Sequence, residues 1–163
     1  MDCREGISDM SIWKLRGYYF MDKLNALIPE ISVSNINISL NFYLNILSFR
    51  LVYQRKDDKF ALIALNGSQI MIEEINGNWE TGILAYPFGR GVNFEIGVDD
   101  ADKLYENIKK HDYKIKIEMQ ENWYKANNIL LGQKEFLIMD PDGYLLRFAE
   151  SLGERECEID ISR

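Results

Sequence analysis

The chain reads as an α+β protein of tandem βαβββ modules. Three observations predict this. Stretches of strand-like and helix-like period follow one another as strand, helix, three strands, and the order then repeats. The two helix starts, Asn35 and Asp100, are 65 residues apart (100 − 35). Finally, Asp140-Pro141-Asp142-Gly143 separates two strand-like runs and closes the second copy as a hairpin.

Residues 1–23 form an N-terminal extension with no clear period; a short helix about residues 11–19 and an upstream start codon are its two readings. Residues 26–34 then alternate, with Pro29, Ile31 and Val33 on one face and Ile28, Glu30 and Ser32 on the other. A proline within a strand belongs at an edge or an irregularity. Ser34 or Asn35 caps a helix through Leu47, with Ile38, Phe42 and Ile46 at four-residue steps. Three strands follow, at 49–54, 60–65 and 69–75, with turn signals at Asp57-Asp58 and Asn66-Gly67. This first module spans 24–75, and a Gly- and Pro-containing linker, 76–90, leads to the second at 91–150.

In the second module, residues 91–98 alternate Val92, Phe94, Ile96 and Val98 against Asn93, Glu95 and Gly97. Asp99-Asp100 caps a helix through Lys110, with Leu104, Tyr105 and Ile108 inward. A strand at 114–120 is followed by a loop holding Trp123-Tyr124, and then by the closing hairpin. In that hairpin Pro141 fixes the φ of a type I turn, Asp140 can accept a backbone hydrogen bond from two residues on, and Gly143 can take a positive φ. Leu146 and Phe148 fall on one face of the last strand; Leu145, Arg147 and Ala149 fall on the other. Glu73 and Arg147 are 74 residues apart (147 − 73), which assigns the second copy a nine-residue insertion (74 − 65) at the Trp123-Tyr124 loop. Residues 151–163 read as a charged tail that wraps the surface or frays.

Composition narrows the function classes. With 26 acidic against 19 basic side chains the net charge is −7, which disfavours a nucleic-acid backbone and favours a cationic small molecule. Hydrophobic runs are too short for a membrane span, and no signal-peptide pattern opens the chain. Cys3 and Cys157 sit near opposite ends, outside any metal spacing, so a cytoplasmic location is expected. The sequence holds one histidine, no Gly-x-Ser-x-Gly elbow and no phosphate-cradling glycine loop, so no catalytic nucleophile is assigned.

Val33-Ser34-Asn35, Phe42-Tyr43 with Leu47 and Phe49, and Asp140-Pro141-Asp142-Gly143, in that order and spacing, resemble the vicinal-oxygen-chelate superfamily. That group includes glyoxalase I, extradiol dioxygenases, fosfomycin-modifying enzymes and bleomycin resistance proteins, and the similarity covers about residues 24–150. Within it the chain looks most like the bleomycin-resistance branch, on Ile28-Pro29-Glu30, Met71-Ile72-Glu73 and Leu145-Leu146-Arg147. The resemblance implies a homodimer in which Pro29 bends an N-terminal arm towards the partner subunit.

It also implies where a metal would sit. The superfamily's metal enzymes use the first and last strands of each module, positions carried over here as Ile28, Glu73, Asn93 and Arg147. An aliphatic side chain, an amide and a guanidinium leave a divalent ion one carboxylate, too few donors. No metal or other cofactor is therefore expected, although Glu30 and Glu95 leave a displaced all-carboxylate site open. His111 reads as an exposed helix-end side chain.

The expected ligand site is a groove lined by Glu30, Glu73, Asn93, Glu95 and Arg147, with Trp79, Trp123 and Tyr124 as aromatic walls. Carboxylates beside flat rings suit a planar or cationic ligand. Glu73 and Arg147 could instead pair with each other across the modules, and the tryptophans could cover a dimer rim. The resemblance implies a metal-free protein that sequesters a bulky cationic antibiotic of the bleomycin type. The rival is a metal-dependent lyase or dioxygenase.

Overall fold

The computed structural model describes residues 23–157; the readings made for residues 1–22 and for the last six residues lie outside the described residues. Strand β1 (Glu30–Val33) leads into helix α1 (Ile36–Asn41), which continues as a π-helical turn over Phe42–Ile46. Strands β2 (Arg50–Arg55), β3 (Phe60–Leu65) and β4 (Ser68–Glu74) follow. The second copy comprises β5 (Asn93–Gly97), α2 (Ala101–Lys110), β6 (Ile115–Ala126), β7 (Ile129–Met139) and β8 (Leu145–Glu156). Two four-stranded sheets result, ordered β1-β4-β3-β2 and β5-β8-β7-β6. In each, the first strand pairs parallel with the last, and the remaining pairs are antiparallel.

Proline sits where its missing N–H costs nothing. Pro29 immediately precedes β1, and its carbonyl still accepts the Met71 N–H at 2.9 Å. Asn66-Gly67 turns β3 into β4 with φ of 44° and 87°, the two positive values a type I′ hairpin requires.

The helices start alike in both modules. Asn35 accepts from the Asn37 and Ile38 N–H groups, and Asp100 accepts from Lys103 N–H at 2.8 Å. A carboxylate from the last strand reaches each first turn: Glu74 takes Ile36 N–H at 3.2 Å and Glu150 takes Ala101 N–H at 2.8 Å. This matched contact fixes the equivalence of the copies. Glu74 and Glu150 are 76 apart (150 − 74), so the insertion is eleven residues (76 − 65), not nine. The counterpart of Arg147 is therefore Met71, and that of Glu73 is Ala149.

The insertion lengthens strands rather than adding a loop. β6 and β7 hold 12 and 11 residues, against 6 each in β2 and β3. Trp123 and Tyr124 thus lie within β6, and the turn is Asn127-Asn128, with Asn127 at a φ of 57°. The extended β7 also offers partners to the chain after Glu150. β8 continues to Glu156, opposite Ile129, so the tail expected to wrap the surface or fray is strand up to that point.

The first helix departs from its expected stripe. Leu47 N–H bonds Phe42 C=O, a five-residue reach that widens the last turn and directs both Phe42 and Tyr43 inward. Ile36, Ser39, Tyr43 and Leu47 form the buried seam, whereas Ile38 is 56% exposed.

One core joins the modules. Phe42 meets Tyr113 with ring centroids 4.7 Å apart, and Asn107 Nδ2 donates to Ile46 C=O at 2.8 Å. The Asp140–Gly143 turn forms the closest interlock. Asp140 is buried and accepts from Tyr43 Oη at 3.0 Å, from its own turn's Asp142 N–H at 3.0 Å and from Tyr144 N–H at 2.8 Å. Asp142 accepts Ser34 N–H at its carboxylate and Phe88 N–H at its carbonyl, while Tyr144 Oη donates to Ser32 C=O. The turn therefore ties together the first module, the linker and the last strand. No helix among the described residues is long and apolar enough to cross a membrane.

Candidate functional site

Each sheet has one face in the shared core and one face turned from the helices. On the first sheet, Ile31, Val33, Ala61, Ile63, Ile70 and Ile72 belong to the core. Strand alternation and the recorded register place Glu30, Ser32, Phe60, Leu62, Met71 and Glu73 on the opposite, open face. On the second sheet, Ile96, Phe136, Ile138, Leu146 and Phe148 are core. Its open face carries Asn93, Glu95, Arg147, Glu135, Gln133, Asn122 and Tyr124.

The first-sheet set is an acidic pocket. Glu30, Ser32 and Glu73 line a cavity of about 350 Å³, with Trp79, Glu80, Thr81, Leu84 and Tyr144 as its other walls. Burial and the neighbouring Glu73 carboxylate raise the Glu30 carboxyl above its ordinary value; Arg55 opposes them. Arg55 lies 3.9 Å over the Phe60 ring, and Phe60 stacks on Tyr53, so these groups form the floor beside the carboxylates. Trp79 stays 69% exposed in the linker, free to lie against an occupant.

The second-sheet set is a polar network across four strands, joined by hydrogen bonds and ion pairs. Arg147, on β8, donates to Glu95 on β5 and lies 3.5 Å from Glu135 on β7. Glu95 also accepts from Gln133 Nε2 at 3.0 Å. Glu135 accepts from Asn122 Nδ2 at 2.9 Å and from the Tyr124 hydroxyl. That bond to a carboxylate raises the Tyr124 hydroxyl above its ordinary value. Glu135 is 2% exposed, yet its Oε2 makes no hydrogen bond, and neither does the buried Nε of Arg147.

The expected site residues divide accordingly. Glu30, Glu73 and Trp79 meet on the first sheet; Glu95, Tyr124 and Arg147 meet on the second. The ion pairs of Arg147 go to Glu95 and Glu135, so the alternative pairing of Glu73 with Arg147 is not what the fold builds. Asn93 lies at the far end of β5, in a separate cavity of about 350 Å³ with Lys116 and Leu145. Trp123 takes the opposite side of β6 from Tyr124: its ring covers Gly132, and Arg155 lies 3.5 Å over it. Alternation along a strand separates neighbours that a loop would have kept together. The segment before Pro29 is bonded to its own chain, with Asn25 N–H on Gln69 Oε1 at 2.8 Å. His111 caps the end of α2 and is exposed.

Sequence reasoning missed Glu135. Its signal was present: Gln133, Glu135 and Leu137 share parity on a strand otherwise rich in Phe, Leu and Ile, and a carboxylate there needs a cation. Arg147 supplies it.

The family model described as the Glyoxalase/Bleomycin resistance protein/Dioxygenase superfamily matches residues 23–148. The chain belongs to this superfamily. It is 26% identical to a bleomycin resistance protein of Geobacillus stearothermophilus and equally to one of Staphylococcus aureus, in each case over 139 residues, 77% of this chain and 96% of the relative. Among solved structures, TioX from Micromonospora sp. ML1 has a TM-score of 0.59 at 15% identity, covering 77% of this chain and 98% of that one. A lactoylglutathione lyase from Agrobacterium tumefaciens has a TM-score of 0.52 at 12% identity, covering 78% and 95%. These two likenesses show the shared fold.

The superfamily includes metal enzymes, and this chain's donor set does not fit their ion. Arg147 fills its strand position with a guanidinium already held by two carboxylates, and the corresponding place in the first module is Met71. Ile28 brings no donor atom, and Glu73 lies on the other sheet from Glu95. Among the described residues no three His, Cys, Asp or Glu side chains come together as a metal cluster.

Proposed function

We propose that this member of the superfamily is a metal-free binding protein that sequesters a bulky, cationic small molecule of the bleomycin type. One observation carries the reading: Arg147 is clamped by Glu95 and Glu135, so the place a metal would need holds a fixed guanidinium inside an acidic surface. On the first open face Glu30 and Glu73 stand together beside Glu80, and on the second Glu95 and Glu135 flank Arg147. A cationic ligand would relieve the repulsion between Glu30 and Glu73, and Trp79 would close over its flat part.

The bleomycin resistance proteins named above support the ligand class, since the match runs over nearly their full length. We further infer a cytoplasmic homodimer in which the open faces of two chains together enclose the ligand, because within one chain the two acidic sets lie on separate sheets. Sequestration needs no chemical step. A drug held in the groove is withheld from its target.

Calorimetric titration with metal-free bleomycin tests this, alongside elemental analysis of the purified protein. Saturable binding is expected, weakened at least about tenfold by Glu30→Gln with Glu73→Gln. Absence of heat and of tryptophan quenching would sink the ligand class. Stoichiometric zinc, iron, manganese or nickel would instead favour a lyase or dioxygenase.

A further inference from the structure

We propose a second small-molecule site on the helix side of the protein, at the seam between the modules, that takes a short amphipathic anion such as an alkyl carboxylate. The seam encloses about 370 Å³, at the lower end of ligand-pocket sizes. Its floor is apolar: Leu47 from the end of the first helical segment, Leu65 from β3, and Val98 with Leu104 around the start of α2. It is bounded by contacts between modules, the side-chain bond from Asn66 to Asp99 and the bond from Asn107 to Ile46 C=O.

The charge on its rim is unequally committed. Asp100 caps α2 through Lys103 N–H, and Asp99 accepts from Asn66, so both carboxylates already have donors. Lys103 and Lys110 lie on one stripe of α2, with Asn107 between them at helical steps, and line the same cavity. Neither lysine has an ion-pair partner among the described residues. A hydrocarbon tail against the leucines and a carboxylate between the lysines would satisfy both features. Two lysines over an apolar floor, in place of paired carboxylates, make this site distinct in chemistry from the acidic open faces.

Calorimetry with octanoate tests the proposal, with two-dimensional amide NMR to locate the probe. The expected result is saturable binding with amide shifts centred on Leu47, Leu65 and Leu104, and at least about tenfold weaker binding in Lys103→Glu/Lys110→Glu. Both lysines are exposed, so the double variant should keep its thermal midpoint without octanoate. Non-saturable binding, an affinity unchanged by the double variant, or shifts centred on Glu30 and Glu95 would each overturn it. Loss of bleomycin binding, by contrast, leaves this test untouched, because the two sites share no residue.

Discussion

Tyr43 and Asp140 are 97 residues apart in the chain and meet at 3.0 Å, hydroxyl to carboxylate, inside the seam that joins the modules. The contact links the widened turn of the first helix to the turn before the last strand. Tyr43 is wholly buried, and burial together with the adjacent carboxylate pushes its hydroxyl far above the ordinary range. Tyr43→Phe should cost about 1–3 kcal/mol in urea denaturation, because it leaves a buried acceptor short of one donor.

The same carboxylate predicts a pH effect. Burial raises Asp140 from 3.8 to about 6, against the hydrogen bonds that favour its charged form. The folded state therefore holds this proton more tightly than the unfolded state does. Its contribution to stability is full below 3.8 and is lost as pH rises through about 6. The loss is on the order of 3 kcal/mol. Stability measured against pH for the parent and for Asp140→Asn should differ by that slope between these two values; parallel curves would contradict it.

Arg147 offsets the charge of the buried Glu135. Arg147→Met should destabilise by about 2–4 kcal/mol, since it strands a carboxylate with no cation. Arg147→Met combined with Glu135→Leu should recover most of that loss, and a double-mutant cycle by chemical denaturation measures the coupling.

Two glycines with nearly equal φ should respond differently to alanine. Gly143 has a φ of 90°, and an added Cβ would lie 2.4 Å from Pro87 Cβ. Gly67 has a φ of 87° with open space around it. Gly67→Ala should cost about 1 kcal/mol from backbone strain alone. Gly143→Ala should cost at least about 3 kcal/mol, because the turn must also move off the linker. Thermal unfolding of the pair separates strain from crowding.

Trp123 and Tyr124 should separate stability from binding. Tyr124→Ala removes an open-face ring bonded to Glu135 and should weaken the bleomycin complex by about 1–2 kcal/mol. Trp123→Ala uncovers Gly132 and Arg155 on the other side of the sheet, so it should lower the unfolding midpoint and leave the affinity unchanged. The reverse pattern would place the groove on the Trp123 side.

Much of this protein was legible in the chain itself. Alternation, caps and turn residues predicted the element order and its repetition, because each signal is a property of a few neighbouring residues, and the motifs at Val33-Ser34-Asn35 and Asp140–Gly143 carried the resemblance to the superfamily. Glu30, Glu73, Asn93, Glu95 and Arg147 could be grouped by parity, which a strand imposes on every second side chain. What remained hidden needed a partner from elsewhere in the sequence. The equivalence of Arg147 with Met71 follows from where Glu74 and Glu150 meet their helices, and Trp123 parted from Tyr124 because β6 found β7 to pair with.

The sequence by itself thus determined which side chains could share a face, since backbone geometry acts over two to four residues. Only the tertiary structure decided which faces meet, that Arg147 goes to Glu135 and Tyr43 to Asp140. The physical reason is that a buried charge or hydroxyl takes whichever partner the packed core brings within about 3 Å, and local period carries no record of that choice.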